Sequence, residues 1–300
     1  MYGFRKITEA LLGTSVSREH HKIQLNIYKN VCSNFELLKD LAPPPSGLSY
    51  SPIFILSAGW RSGSTLLQRL ILSSEGIVVW GEPFDKSSIV RNLSNMFLPF
   101  CKEWPPENYC LKEESFDHLK SKWIANLYPQ TTDLIEAHRA FLLRLFFNFN
   151  NTEDIARWGI KEVRFGLKEA LYLKIIFPDA RFLYLKRDLF SAYKSYSNFS
   201  PLKKWYSDWP HGKAFTPFQF ARHRRRLVQE FKTAIKLTGG LMINYEDLIC
   251  GNLDLEELDD YCDIKVDRNV LNKKVGSGLK TEKVSRINFI ENVMLKLGAK

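Results

Sequence analysis

The chain reads as an α/β protein, a three-layer fold in which helices cover both faces of a central parallel sheet. A helical N-terminal arm precedes the sheet and a helical insertion interrupts it. Three observations lead there. Short, continuously apolar runs rich in β-branched and aromatic residues (SPIFILS at 51–57, IVVW at 77–80, ARFLYLK at 180–186) suit strands buried on both faces. Helical patterns separate those runs, and strands alternating with helices pair in parallel through crossovers. A glycine- and serine-rich turn joins the first strand directly to a helix.

The elements follow in order. Residues 17–41 carry apolar side chains at three- and four-residue steps behind Ser17, a good N-cap, and read as a helix. APPPSG at 42–47 ends it, since proline cannot continue a helix. Residues 1–47 are therefore an arm and linker, and residues 48–300 the main domain. Strand 51–57 leads through AGWRSGS into a helix starting TLLQRLIL, and 77–80 is the second strand. Residues 85–151 are irregular and helical with a proline-rich break at 104–106, and read as an insertion over the sheet edge. RWGIK at 157–161 and 180–186 are further strands, followed by helices at 167–177 and 189–198. A long basic helix over 216–238 precedes a last buried strand, GLMIN at 240–244.

Composition bounds the function. With 300 residues, 45% of them apolar and 25% charged, the chain is an ordinary globular protein and not a disordered or collagen-like one. Its 43 basic against 33 acidic residues leave a net charge of +10, which attracts anions without saying which. The 5 cysteines form no CxxC pair or zinc-like spacing, so no disulfide framework is expected and a reducing compartment is. The first residues hold no secretory-type apolar core, and FLLRLFFNF at 141–149, the most apolar stretch, is too short to span a bilayer. These features predict a cytoplasmic protein with no membrane span. The three N-x-S/T tripeptides, at Asn92, Asn150 and Asn198, then carry no glycan. The 6 histidines include no HxH or HExxH arrangement, so no metal is expected.

The chemistry concentrates in the turn Gly59-Trp60-Arg61-Ser62-Gly63-Ser64-Thr65. Small residues let backbone N–H groups approach an anion, and the following helix adds the positive end of its dipole. Arg61 offers a full charge with paired donors, while Ser64 and Thr65 offer hydroxyls and first-turn amides. An ATPase loop of the GxxxxGK[ST] type needs a lysine before its Ser/Thr, and here Gly63 runs straight into Ser64. That disfavours an ATP-dependent phosphotransferase, and a ligand-free βα turn is the plainer alternative. RSGST at 61–65 after a buried strand resembles the 5′-phosphosulfate loop of the PAPS-dependent sulfotransferases, where PAPS is 3′-phosphoadenosine 5′-phosphosulfate. The resemblance implies a P-loop-containing nucleotide hydrolase-like fold, with PAPS as co-substrate and PAP as product. Arg61, Ser62, Gly63, Ser64 and Thr65 would then hold the 5′ end.

A second anion site lies further along. Arg187 ends the strand at 180–186, where open α/β sheets bind ligands, and Ser195 follows eight positions on, two turns into the next helix. The pair resembles the family's 3′-phosphate segment; otherwise Arg187 pairs with Asp188 or caps a helix. Two separated anion sites suit a ligand with two phosphates. INYEDL at 243–248 resembles a family strand-plus-helix segment and reads as structural, with Glu246 or Asp247 starting a helix. KKVGSGLK at 273–280 resembles the loop that closes over the 3′-phosphate, which would add Gly276 and Ser277 to the donor site; a mobile basic tail is the alternative.

Sulfuryl transfer needs an aligned acceptor, charge neutralisation and a base for the acceptor proton. Glu82 in WGEPFD follows the strand beside the loop and is the candidate base. The Gly-Glu-Pro resembles the acidic site of the carbohydrate, tyrosyl-protein and bacterial glycolipid branch. An ion-pair partner or helix N-terminal acid is the other reading of Glu82. Lys161 in RWGIKEVRF ends a strand, and the resemblance places there a lysine contacting the transferred group; a surface lysine is the alternative. Arg164 could assist or bind an anionic acceptor, and Glu162 is a second candidate base. Arg61 completes the catalytic set.

RHRRR at 222–226 spreads around a helix and reads as a solvated face, while KKWYSDWPHGKAF at 203–215 reads equally as an acceptor-covering loop or a packed surface loop. The expected activity is sulfuryl transfer from PAPS to a hydroxyl of a carbohydrate or another small polar acceptor. A natural product or protein tyrosine is the alternative acceptor, and nucleic-acid binding the rival of another class, with no nucleic-acid partner expected.

Overall fold

A computed structural model of the chain describes residues 18–111, 119–121, 125–148, 154–198, 216–272 and 287–300. Five strands form one sheet: β1 (Ile53–Ser57), β2 (Ile77–Gly81), β3 (Arg157–Glu162), β4 (Arg181–Lys186) and β5 (Leu241–Asn244). Their order is β2-β3-β1-β4-β5, and every neighbouring pair is parallel. The expected α/β class with a central parallel sheet is what the chain adopts.

The apolar runs are continuous because both faces of each inner strand are covered. Side chains alternate across a strand. In β1, Phe54 and Leu56 enter one core with Trp158, Ile160, Phe182 and Tyr184, while Ile53 and Ile55 enter the other with Leu183, Leu185 and Ile243. All five residues of β1 are buried. The first core is closed by α1 (Arg18–Leu38), α4 (Thr131–Phe146), α5 (Leu167–Ile176) and α7 (Pro217–Thr238). The second is closed by α2 (Ser64–Ile71) and α9 (Leu255–Cys262). Tilted and edge-to-face contacts of Phe54 with Trp158, Phe177 and Phe182, at 5.4 to 6.2 Å between centroids, fill the first core.

Between β2 and β3 lie α3 (Ile89–Met96) and α4, in the stretch expected to be an insertion. The connection is tied to the rest by polar bonds as well as packing. Trp80 Nε1 donates to Phe146 O at 2.8 Å, and Asn34 Nδ2 donates from α1 to Phe97 O at 2.9 Å. After β4 come α6 (Leu189–Ser197), capped by Asp188 accepting from Ser191 N, and α7, capped by Thr216 with Pro217 in its first turn. Helix α8 (Tyr245–Cys250) follows β5 at once. Two helices were not foreseen: α9, capped by Asp254, and α10 (Phe289–Ala299), capped by Asn288 and packed along α7. Ser17, the expected cap of α1, lies outside the described residues. Among the described residues no helix is long and apolar enough to cross a membrane.

Candidate functional site

Parallel pairing brings the C-terminal ends of all five strands to one edge of the sheet, where open α/β sheets bind ligands. The turn after β1, Glu82 after β2, Lys161 at the end of β3, Arg187 after β4 and Tyr245 after β5 all sit on that edge.

The turn is tightly held. Ala58 N donates to Leu185 O at 2.8 Å, which carries the chain straight off the sheet. Arg61 has a left-handed backbone (φ 63°) and Gly63 another (φ 88°). Gly63 is also where a side chain has no room, since a Cβ there would lie 2.1 Å from the Tyr245 ring. Ser62 turns inward: it is fully buried, and its hydroxyl donates to Gly59 O at 2.8 Å. What Ser62 can offer a ligand is thus its backbone amide and not its hydroxyl. No side chain caps α2, so the first-turn amides of Ser64 and Thr65 face the edge without an intrahelical acceptor. Thr65 is exposed and Ser64 buried.

The second group of anion-site residues meets the first directly. Arg61 Nε donates to Ser195 Oγ at 2.9 Å, and Arg187 Nη1 donates to Arg61 O at 3.1 Å. Arg187 does not pair with Asp188, which is occupied as the cap of α6. Its guanidinium lies 4.3 Å from the Tyr245 ring centroid, a cation–π stack. Its Nε is buried with no hydrogen-bond partner. An orphaned charged donor, open helix amides and a glycine turn without space for a Cβ are together what a phosphate-bearing ligand would satisfy. The residues present therefore fit the doubly phosphorylated nucleotide that the sequence motifs imply.

Glu82 and Lys161 are brought together on the far side of the turn. Lys161 Nζ donates to Glu82 Oε1, and Glu82 N donates to Lys161 O at 2.8 Å, extending the β2–β3 ladder by one bond. The Lys161 side chain is only 7% exposed, so it is not a surface lysine. Glu82 at 22% exposure keeps access to solvent. Glu162 has no such access. Its carboxylate accepts from both Nε and Nη2 of Arg164 and from Val163 N at 2.8 Å, and is 3% exposed. Burial pushes the Glu162 carboxyl up from the ordinary carboxylate range, with Arg164 pulling the other way. Glu162 and Arg164 thus close on each other, which takes away the spare base and the spare anion-binding arginine considered from sequence.

One residue at the site was hidden in the basic run. Arg224 is buried at 4% exposure beneath the turn. Its Nη1 donates to Trp60 O at 3.2 Å and Ser62 Oγ at 2.8 Å, and its Nη2 to Arg187 O at 3.1 Å. The solvated-face reading holds for exposed Arg222, Arg225 and Arg226, the last 3.6 Å from Glu230, but not for Arg224. The signal was present: Phe220, Arg224, Leu227 and Phe231 fall on one helix face, three apolar residues and one arginine. The YEDL segment is structural as expected. Glu246 accepts from Asp188 N at 3.0 Å, and Asp247 accepts from Asn244 at 2.6 Å, while Tyr245 buttresses both Gly63 and Arg187. Gly276, Ser277 and the aromatic loop at 203–215 lie outside the described residues.

Comparison with known proteins adds a family match and several solved structures. Residues 52–267 match the family model described as Sulfotransferase family. The chain is similar to a sulfotransferase domain from the curacin biosynthetic pathway, at 16% identity over 82% of this chain and 87% of that one, with a TM-score of 0.42. A sulfotransferase from Alicyclobacillus acidocaldarius is 12% identical over 76% and 87% of the two chains, with a TM-score of 0.42. The sulfotransferase domain of the Synechococcus PCC 7002 olefin synthase is 20% identical over 83% and 85%, with a TM-score of 0.36. No curated protein matches.

Proposed function

This chain belongs to the sulfotransferase family, and from that premise we propose that it moves a sulfuryl group from PAPS to a hydroxyl of a carbohydrate or another small polar acceptor. The observation that carries the donor half is the contact between the two anion-binding elements: Arg61 reaches Ser195 at 2.9 Å, and Arg187 reaches Arg61 O at 3.1 Å. Residues far apart in the chain thus converge within the span of one nucleotide. In this reading Arg61 and the backbone of residues 62–65 hold the 5′ end. Arg187 and Ser195 hold the 3′-phosphate, with Gly276 and Ser277 as further contacts.

When bound, PAPS supplies a sulfuryl group attached to a phosphate that leaves as part of PAP. The chain's own work is placement, charge and a proton. Glu82 accepts the proton of the acceptor hydroxyl as that oxygen bonds to sulfur and the sulfur–phosphate bridge breaks. Lys161 and Arg61 place positive charge where the transferring group and its leaving oxygen accumulate negative charge. Lys161 also fixes one Glu82 oxygen and leaves the other for the acceptor. The resemblance of Gly81-Glu82-Pro83 to the acidic site of the carbohydrate branch supports a polar acceptor such as a sugar.

Thermal-shift titration tests the donor reading. With the full chain, 3′,5′-adenosine bisphosphate at 100 times its Kd should stabilise the fold by about 2.7 kcal/mol, with no comparable shift from ATP with Mg²⁺ or from an oligonucleotide. A shift with ATP·Mg²⁺ and none with the bisphosphate would point to phosphoryl transfer instead. A shift with the oligonucleotide alone, steeply salt-dependent, would point to nucleic-acid binding.

A further inference from the structure

Arg224 stands apart from the other cations of the edge. It is buried behind the turn, its bonds run to neutral acceptors, and among the described residues no carboxylate pairs with it. Asp188 and Glu246 favour its charge from a distance without bonding to it, and a buried guanidinium with no bonded carboxylate is costly, so its persistence calls for a physical reason. Burial pulls its pKa down to about 9, and the neighbouring Arg187 pulls in the same direction. Its three acceptors supply that reason. Trp60 O precedes Arg61, Ser62 Oγ follows it, and Arg187 O belongs to the second anion-site arginine itself. One rigid, planar fork therefore holds the Trp60 carbonyl and the Ser62 hydroxyl on either side of Arg61 together with the Arg187 carbonyl. The bonds come from α7, which also packs on the turn through Phe220 and Ala221 beside Trp60 and through His223, whose ring stacks on Trp60 at 5.8 Å between centroids.

We propose that Arg224 is a positioning residue whose guanidinium locks the turn after β1 to the turn after β4, so that both ends of one nucleotide are received in a fixed relation. This rests on the donor reading above. Lysine keeps the charge, but its donors radiate from one point on a flexible stem and do not reproduce the separate Nη1 and Nη2 positions from which Arg224 reaches the two turns. A residue that merely filled space would affect stability without altering how Arg187 contributes to binding.

The test is a double-mutant cycle read by isothermal titration of 3′,5′-adenosine bisphosphate into the full chain, with thermal unfolding in its absence confirming that each variant folds. Arg224→Lys and Arg187→Ala should each raise Kd at least tenfold. The double variant should bind no more than about threefold worse than Arg187→Ala alone, because with the Arg187 side chain gone the lock has no second anion-binding group left to hold in register. Losses that multiply, or a folded Arg224→Lys that binds within threefold of the parent, overturn the proposal. Should Arg224→Lys not fold, Ser62→Ala removes one acceptor of the fork at smaller risk; binding at least threefold weaker supports the lock, and unchanged binding overturns it. A parent chain that does not bind the bisphosphate sinks the donor reading and the lock together, whereas a parent that binds beside unaffected variants sinks the lock alone.

Discussion

Glu82 holds a left-handed backbone, φ 48°, which costs a non-glycine residue of the order of 1 kcal/mol or more. The neighbouring strand over-determines it: Glu82 N bonds Lys161 O at 2.8 Å while its side chain accepts from Lys161 Nζ. Both bonds tie Glu82 to the end of β3. An ion pair alone explains neither the strained backbone nor the retained access to solvent. Glu82→Gln separates the two readings. Glutamine has the same shape and its carbonyl still accepts from Lys161, but it takes no proton from an acceptor hydroxyl. Turnover should fall roughly 10²-fold or more, the range for loss of a general base, with bisphosphate affinity kept within twofold. Initial rates and titration calorimetry measure the two, and unchanged turnover removes Glu82 from the mechanism.

At the scale of elements, the turn between β1 and α2 depends on what packs behind it. A Gly63→Ala side chain would meet the Tyr245 ring at 2.1 Å and impose strain at φ 88°. The variant should lose of the order of 1 to 3 kcal/mol in denaturant unfolding and bind the bisphosphate at least tenfold less tightly. Adding Tyr245→Ala should recover only part of the stability, since the clash is relieved and the backbone strain is not. How much of this was legible in the sequence differs by element. The strands were readable because burial on both faces leaves unbroken apolar runs, and their edges shift by only one or two residues. Helix α10 was not readable from its pattern: Phe289 and Ile290 are 83% and 69% exposed, so its apolar residues do not report the face that packs on α7. Arg61, Arg187, Ser195, Glu82 and Lys161 were named from the resemblance of their segments, and the parallel strand order gathers the four that lie at strand ends on one edge, with Ser195 joined to them through Arg61. The inward turn of Ser62 and the burial of Arg224 were missed, because each is decided by a contact between segments 162 positions apart. Closure of Glu162 on Arg164 escaped notice for a different reason: neighbours two apart in sequence give no sign of whether the sheet buries them.

For the whole molecule, the sheet divides two cores and leaves ionisable groups trapped beside them, which makes stability depend on pH. Glu230, on α7, accepts from Leu167 N at 2.9 Å at the start of α5, and burial raises its carboxyl above the ordinary range despite the opposing Arg226. Glu162 is raised by burial as well. A carboxyl with a raised native pKa binds more protons folded than unfolded at pH values just above the ordinary carboxylate pKa of about 4.3. Stability from such a group therefore falls as pH climbs through that window. His138 works in the opposite direction: burial lowers its pKa, so the unfolded chain binds the extra proton and stability rises as pH approaches the ordinary histidine value of about 6.5. The parent's own pH profile mixes these contributions, and a comparison with Glu230→Gln isolates one of them. Glutamine keeps a carbonyl for Leu167 N and carries no proton equilibrium. Between pH 5 and pH 7.5 the urea midpoint of the parent should fall relative to that of the variant, because only the parent must hold a partly buried carboxylate ionised at the upper end. A difference that stays constant across the range would mean that Glu230 is solvated well enough in the folded chain to ionise freely.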